Sequence, residues 1–137
     1  MRIALTALVA AFLFAIMGAT IDSSALAQAQ PRHLSIKNGE SIELGPVYWV
    51  INCRSVMIGM PEIEILEGPP SVALTIKEGQ VLPRRQGCAS KVSGGTLVLN
   101  AKGVTEQSET KLTYRLKYKT KDGDRQAGNT YIVSLFP

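Results

Sequence analysis

Six basic side chains stand in two groups whose spacing favours contact with a negatively charged partner. Arg84 and Arg85 form a basic pair shortly before Cys88, and four more cations fall on odd-numbered positions near the C-terminus. Residues two apart share one face of a β-strand, so their charges add to one local potential. The predicted contacts for an acidic glycan, a lipid headgroup or an acidic protein are Arg84, Arg85, Lys111, Arg115, Lys117 and Lys119. The alternative is a solvated face whose cations pair with Glu62 and Glu64 across the sheet.

Three glutamates offer a second kind of chemistry. Glu62, Glu64 and Glu67 could supply the paired carboxylates of a glycoside hydrolase, because same-face strand neighbours lie roughly 5 to 10 Å apart. One carboxyl of such a pair needs a less polar setting that raises its pKa. Glu62 and Glu64 instead flank Ile63 on a face that the pattern predicts to be exposed. The sequence also lacks G-x-S-x-G, H-E-x-x-H and Gly-rich phosphate motifs, so we predict that the protein is not an enzyme.

Metal and cofactor chemistry has few candidate ligands in this sequence. The chain contains a single histidine, His33, and a histidine-based zinc site needs several. Met57 and Met60 carry thioethers, which suit Cu(I), but residues three apart face opposite sides of an extended strand. Core filling is therefore the better interpretation of both methionines. We predict no metal and no cofactor.

Cys53 and Cys88 are the two cysteines of the chain, and we predict that they form one intramolecular disulfide. A redox or nucleophilic thiol would need a second cysteine close in sequence or a nearby base. Neither is visible around these positions. In the chain-entropy model, a bridge across this separation stabilises the folded state by about 4 kcal/mol.

The N-terminal segment has the features of an export signal. A single positive charge at Arg2 precedes the apolar run Ile3–Ile21, and small residues follow at Ala25 and Ala27 with the spacing of a signal peptidase site. We therefore predict cleavage before Gln28 and export to the periplasm or beyond. The alternative is an uncleaved anchor, because an apolar run of about 19 residues is just long enough to span a bilayer.

Beyond the signal, the sequence predicts a short arm and one β-rich domain. Residues 28–33 are polar and contain Pro31, so we expect a flexible arm. Over residues 34–137, apolar residues alternate along short runs that Gly, Pro and Asn separate, and we interpret pairs such as Gly94–Gly95 as turns. The predicted strands are Leu34–Lys37, Ser41–Leu44, Val47–Arg54, Glu62–Leu66, Val72–Lys77, Thr96–Ala101, Leu112–Lys119 and Thr130–Phe136.

These elements predict an all-β fold, an antiparallel two-sheet sandwich of about seven or eight strands with one disulfide. The expected sandwich is immunoglobulin-like in architecture only. Trp49 precedes Cys53, whereas the tryptophan of immunoglobulin domains lies between the two cysteines. Along the predicted strand Val47–Arg54, we expect Val47, Trp49, Ile51 and Cys53 to face the core.

Composition limits the function that such a domain can have. The 137 residues are 45% hydrophobic and 19% charged, with a formal net charge of +4, which fits a globular domain rather than a disordered chain. This balance is weaker than the dense basic patches of nucleic-acid binders. The leading hypothesis is a small exported β-sandwich without enzymatic activity, a binding or structural module of the cell envelope, with no membrane span after cleavage. The alternative is an inhibitor or assembly partner of another protein, acting through a strand edge or a loop.

Overall fold

A computed structural model describes residues 30–137, so the predicted signal peptide at residues 1–27 lies outside the described residues. Apart from one short 3-10 turn, all the regular secondary structure of the described chain is β-strand, which confirms the all-β class. Within it, no helix has the length and apolar character needed to cross a membrane. The strands of this part are β1 Arg32–Lys37, β2 Ser41–Val47, β3 Val50–Ile51, β4 Arg54–Ser55, β5 Glu62–Glu67, β6 Val72–Val81, β7 Val92–Ala101, β8 Ser108–Thr120 and β9 Gly123–Phe136.

Two sheets and a small hairpin make up the sandwich. One sheet has the strand order β1-β9-β8-β5, the other has the order β2-β7-β6, and β3 pairs with β4. The orders β2-β7-β6 and β9-β8-β5 correspond to the B-E-D and G-F-C arrangement of immunoglobulin-like sandwiches. The expected architecture is confirmed, with nine strands in residues 30–137 instead of seven or eight. One pairing departs from the antiparallel expectation, because β1 runs parallel to β9.

The core lies between the two sheets. Leu99 of β7, Leu112 of β8 and Val133 of β9 are completely buried. Burial alternates along β8, so that its even-numbered residues face the core and its odd-numbered residues face outward. Full burial of one such aliphatic side chain stabilises the fold by roughly 1.5 to 3 kcal/mol.

Two glycines inside β7 allow the other strands of its sheet to approach closely. A Cβ built on Gly94 would collide with the carbonyl oxygen of Val47, and one on Gly95 would lie 2.8 Å from the carbonyl oxygen of Lys77. The prediction of a turn at Gly94–Gly95 is therefore wrong. Glycine occurs in turns, and it also occurs within strands where a neighbouring backbone approaches closely. The local sequence does not distinguish between these two cases.

The predicted continuous strand Val47–Arg54 is also wrong. Strand β2 ends at Val47, and the chain then forms the β3–β4 hairpin with Asn52 and Cys53 at its tip. Their φ angles of 52° and 59° are those that a two-residue type I′ turn requires. Val47 is buried as expected, but Ile51 is 46% exposed and Cys53 is also exposed rather than part of the core. Asn-Cys lacks the glycine that usually identifies this turn, so the apolar alternation hides it.

Several strands extend beyond their predicted limits. Strand β1 begins at Arg32, within the expected arm, and β6 continues to Val81. The largest extension is in β9, which starts at Gly123 instead of Thr130 and pairs with β8 from Gly123 to Leu135. Gly-rich and polar segments have low strand propensity, so only the pairing with β8 accounts for this extension.

Candidate functional site

An open cleft of about 530 Å³ lies between the two sheets, where β2 and the chain that follows it face β8 and β9. Its floor includes Leu97 of β7 and Leu116 of β8. The chain has 4 tyrosines and 1 tryptophan, and all of them contribute to the lining. These aromatic residues are Tyr48, Trp49, Tyr114, Tyr118 and Tyr131. Such a surface combines apolar ring faces with hydroxyl groups that can form hydrogen bonds.

The aromatic rings pack in two pairs. The centroids of Trp49 and Tyr118 are 5.1 Å apart with an interplanar angle of 55°, and those of Tyr114 and Tyr131 are 6.2 Å apart and nearly parallel. These distances lie in the range of favourable aromatic contacts. Three of the tyrosines are at least 94% buried, whereas Trp49 and Tyr48 are half-buried. The pairs therefore form a fixed floor, and Tyr48 and Trp49 form a more accessible wall.

Burial favours the neutral form of two tyrosine hydroxyls, those of Tyr114 and Tyr118. It raises the pKa of Tyr118 to about 12, with a smaller contribution from the nearby Tyr48 hydroxyl. Burial also raises the pKa of Tyr114, and the neighbouring Tyr131 adds to this effect. At physiological pH these hydroxyls act as uncharged donors and acceptors. Any charge in the cleft must come from other residues.

Two arginines supply positive charge at the rim of the cleft. Arg32 stands at the start of β1, and Arg85 belongs to a short 3-10 turn at Arg84–Gln86. No aspartate or glutamate is among the described residues that line the cleft. Within residues 30–137, neither arginine forms a salt bridge. The cleft therefore combines an aromatic floor with two arginines, and the described residues that line it include no acidic side chain.

The predicted disulfide between Cys53 and Cys88 is confirmed, with a Cα separation of 5.5 Å. It joins the tip of the β3–β4 hairpin to the segment after the 3-10 turn, rather than one sheet to the other as in antibody domains. A second link connects the same regions, because the Tyr48 hydroxyl donates a hydrogen bond to Oε1 of Gln86 at 2.6 Å. Together the two links hold the turn that carries Arg85 against the wall of the cleft.

The six predicted contact residues do not form one surface. Arg85 lines the cleft, and both Arg84 and Arg85 line a neighbouring groove that also contains Glu43. The other four cations occupy the outer face of β8, opposite to the inward side chains that line the cleft. We call these four residues the outer row, which consists of Lys111, Arg115, Lys117 and Lys119. The structure thus separates the arginine pair from the outer row by the thickness of a sheet.

Glu64 neutralises the centre of the outer row. Its carboxylate accepts hydrogen bonds from Nε and Nη2 of Arg115 at 2.8 and 2.9 Å, and Lys117 Nζ lies 2.7 Å from Oε2. Across the sheet, Glu62 lies opposite Lys117 in the strand register. In the described part of the chain, Lys111 and Lys119 form no salt bridge. The interpretation as a solvated face with cross-strand pairs gains direct support from Glu64.

Glu64 of β5 does not have the environment that a general acid requires. Hydrogen bonds from Arg115 and Lys117 lower the pKa of Glu64 to about 2, whereas a general acid needs a raised pKa. Met57 packs against the core, in agreement with the interpretation of core filling. His33 is exposed on β1, and residues 30–137 contain no group of three or more His, Cys, Asp or Glu side chains placed to hold a metal ion.

Comparison with protein families, with curated proteins and with solved structures finds no match to this chain. The assignment of the cleft as the candidate site therefore depends on its geometry and on the residues that line it. The sequence pattern indicated Arg85 but not Arg32, because the predicted flexible arm included Arg32. Along the predicted strand Leu112–Lys119, Tyr114 and Tyr118 alternate with polar residues, which is typical of side chains that face a core. This alternation carries no signal that the core opens to solvent beside them.

Proposed function

We propose that the protein is an exported, non-enzymatic binding module of the cell envelope, and that its anionic ligand enters the cleft. One observation carries the proposal. Arg32 and Arg85 line the same cleft as the aromatic residues, and no acidic residue is among the described residues that line it. Guanidinium groups bind carboxylates and phosphates through two parallel hydrogen bonds, and they stack on aromatic rings. Ligand sites typically combine apolar walls with a few such polar groups.

The disulfide and the N-terminal sequence support the exported location. Disulfides persist in oxidising compartments such as the periplasm and the extracellular space, and Cys53 is bonded to Cys88. The apolar segment and the small residues at Ala25 and Ala27 provide the matching export signal. An envelope location would expose the module to acidic glycans, anionic headgroups and the acidic surfaces of other proteins.

Matched double variants distinguish the contribution of the cleft arginines to binding from that of the outer row. The double variant Arg32→Glu with Arg85→Glu changes the net charge by the same amount as Lys111→Glu with Lys119→Glu. We expect the first pair to weaken binding by about tenfold or more, since each reversal removes an attraction and adds a repulsion. We expect the second pair to bind as the wild type does.

The measurement is retention of an isolated envelope fraction on immobilised mature protein, followed by elution in a salt gradient. An acidic glycan and vesicles of anionic lipid serve as defined probes beside it. Electrostatic binding should weaken as the salt concentration rises. Equal losses of binding in both double variants would show that binding depends on net charge alone. A loss of binding confined to Lys111→Glu with Lys119→Glu would show that the site is the outer row. Either result contradicts the proposal.

A further inference from the structure

One side of β9 is uncovered over half of its length. Strand β1 pairs with β9 only along Tyr131–Phe136. On the side away from β8, residues 123–130 have no strand partner within the described part of the chain. We call this segment of β9 the open edge. A row of unpaired backbone N–H and C=O groups is a template for another strand.

The hydrogen-bond pattern identifies which backbone groups are available. The carbonyl oxygen of Phe136 accepts a bond from the N–H of Asn38 at 2.8 Å, so the backbone groups of even-numbered β9 residues point away from β8. The pairing register with β8 is constant along the strand, so the backbone groups of Asp124, Gln126 and Gly128 also point away from β8. The carbonyl oxygen of Asp124 accepts a hydrogen bond from Nη1 of Arg125 at 3.0 Å, which leaves the N–H of Asp124 and the backbone groups of Gln126 and Gly128 for an added strand. The next outward N–H, that of Thr130, donates to the side chain of the preceding residue at 2.9 Å.

The open edge also borders the cleft. Ala127, Gly128 and Asn129 lie among the lining residues, as do Tyr48 and Tyr131. A strand placed on this edge would therefore lay alternate side chains over the aromatic floor. This combination of a free edge and an adjoining pocket is the arrangement by which peptides bind through strand addition.

The edge lacks most of the devices that prevent strand addition. Natural edges are protected by lysine, proline, bulges or inward-pointing charges. The middle of the open edge consists of Gln126, Ala127 and Gly128, and charged residues occur only near the hairpin turn, at Asp124 and Arg125. All residues from 123 to 129 are exposed.

The arginines indicate the chemistry of the added strand. We propose that an extended, acidic segment of a partner protein pairs with the open edge and places one apolar side chain in the cleft and a carboxylate at Arg32 or Arg85. This inference rests on the proposed function, because it assigns the same cleft to one class of ligand. A second copy of the chain fits less well, since the open edge offers only Asp124 to match the two arginines.

A library of random octapeptides displayed on phage tests the inference with the folded mature protein as the target. We expect enrichment of sequences that combine an acidic residue with an apolar one at a fixed spacing. Gln126→Pro removes an outward N–H while it keeps the pairing with β8, and an edge strand tolerates proline at such a position. The enriched peptide should bind this variant about tenfold or more weakly. Gln126→Ala, which keeps the N–H, should bind as the wild type does.

A second measurement does not depend on whether Gln126→Pro folds. Saturation of the wild-type protein with the enriched peptide should slow the amide exchange of Asp124, Gln126 and Gly128. The amides of Arg125 and Ala127 already face β8 and should change little. This even-numbered pattern is specific to strand addition.

The outcomes separate the inference from the proposed function. A library without enriched peptides, or peptides that leave these three amides unprotected, overturns strand addition. Salt-sensitive retention that depends on Arg32 and Arg85 would still support the proposed function in either case. A dimer that forms with rising concentration and is lost in Gln126→Pro would assign the edge to a second copy, and would also overturn the inference.

Discussion

Glu64 shows how one carboxylate can alter the electrostatics of a whole strand face. It binds both Arg115 and Lys117, so two charges of the outer row are already matched within the fold. All three side chains remain about one-third exposed or more, and solvent screens such pairs. Their contribution to stability is therefore small, and their main effect is to leave the arginines at the cleft as the better candidates for an external anion.

The lowered pKa of Glu64 predicts a dependence of stability on pH. Because the folded state holds this pKa near 2, below its ordinary value of 4.5, the stability that the ionised carboxylate contributes is fully present above pH 4.5. This contribution is lost as the pH falls from 4.5 through 2, where the folded protein itself takes up the proton. We expect Glu64→Gln to make the fall in melting temperature over this interval slightly smaller, because these exposed pairs contribute little to stability, and circular dichroism measures the change. Glu62→Gln is the matched control and should keep the wild-type profile; identical profiles for all three proteins would contradict the assignment.

Strand β7 depends on glycine to fit between its two neighbours. We expect Gly94→Ala to destabilise the fold by about 1 to 3 kcal/mol, because the new Cβ would collide with the carbonyl oxygen of Val47. Gly79→Ala is the control, since no atom lies within 4 Å of a Cβ at that position. Urea unfolding of the two variants measures the difference. Equal stability would show that β2 shifts away from β7 without cost.

The sequence pattern predicted the strands in which apolar and polar residues alternate. It missed the strand segment that forms only because a neighbouring strand pairs with it. Leu112–Lys119 alternates clearly between apolar and polar residues, and β8 contains that segment in full. Gly123–Asn129 has no such pattern and becomes strand only because β8 lies beside it. This missed segment lines part of the cleft and makes up all of the open edge except Thr130. Alternation reports which face of a strand is buried, but it does not report which strands are neighbours or where a sheet edge stays uncovered.

The disulfide connects the stability of the whole molecule to the geometry of the cleft. Its two cysteines are 35 residues apart in sequence, and the closed loop contains β4, β5 and β6. We expect the double variant Cys53→Ala with Cys88→Ala to lose about 4 kcal/mol of unfolding free energy in the chain-entropy model. That is a large fraction of the stability of a domain of this size.

Urea unfolding of the double variant measures this loss, and reduced wild-type protein is the control, which should show a loss of similar size. A double variant as stable as the oxidised wild type would contradict the expectation. In the variant, the hydrogen bond between Tyr48 and Gln86 would remain as the link between the hairpin region and the 3-10 turn.

The position of Trp49 gives the protein an optical property. All the tyrosines of the chain line the same cleft as this indole, and the ring of Tyr118 lies 5.1 Å from it. Light absorbed by the tyrosines is therefore transferred to Trp49, and the folded protein should emit with a tryptophan spectrum. A molecule that displaces water from the cleft should shift this emission to shorter wavelength, so occupancy can be followed without an added label.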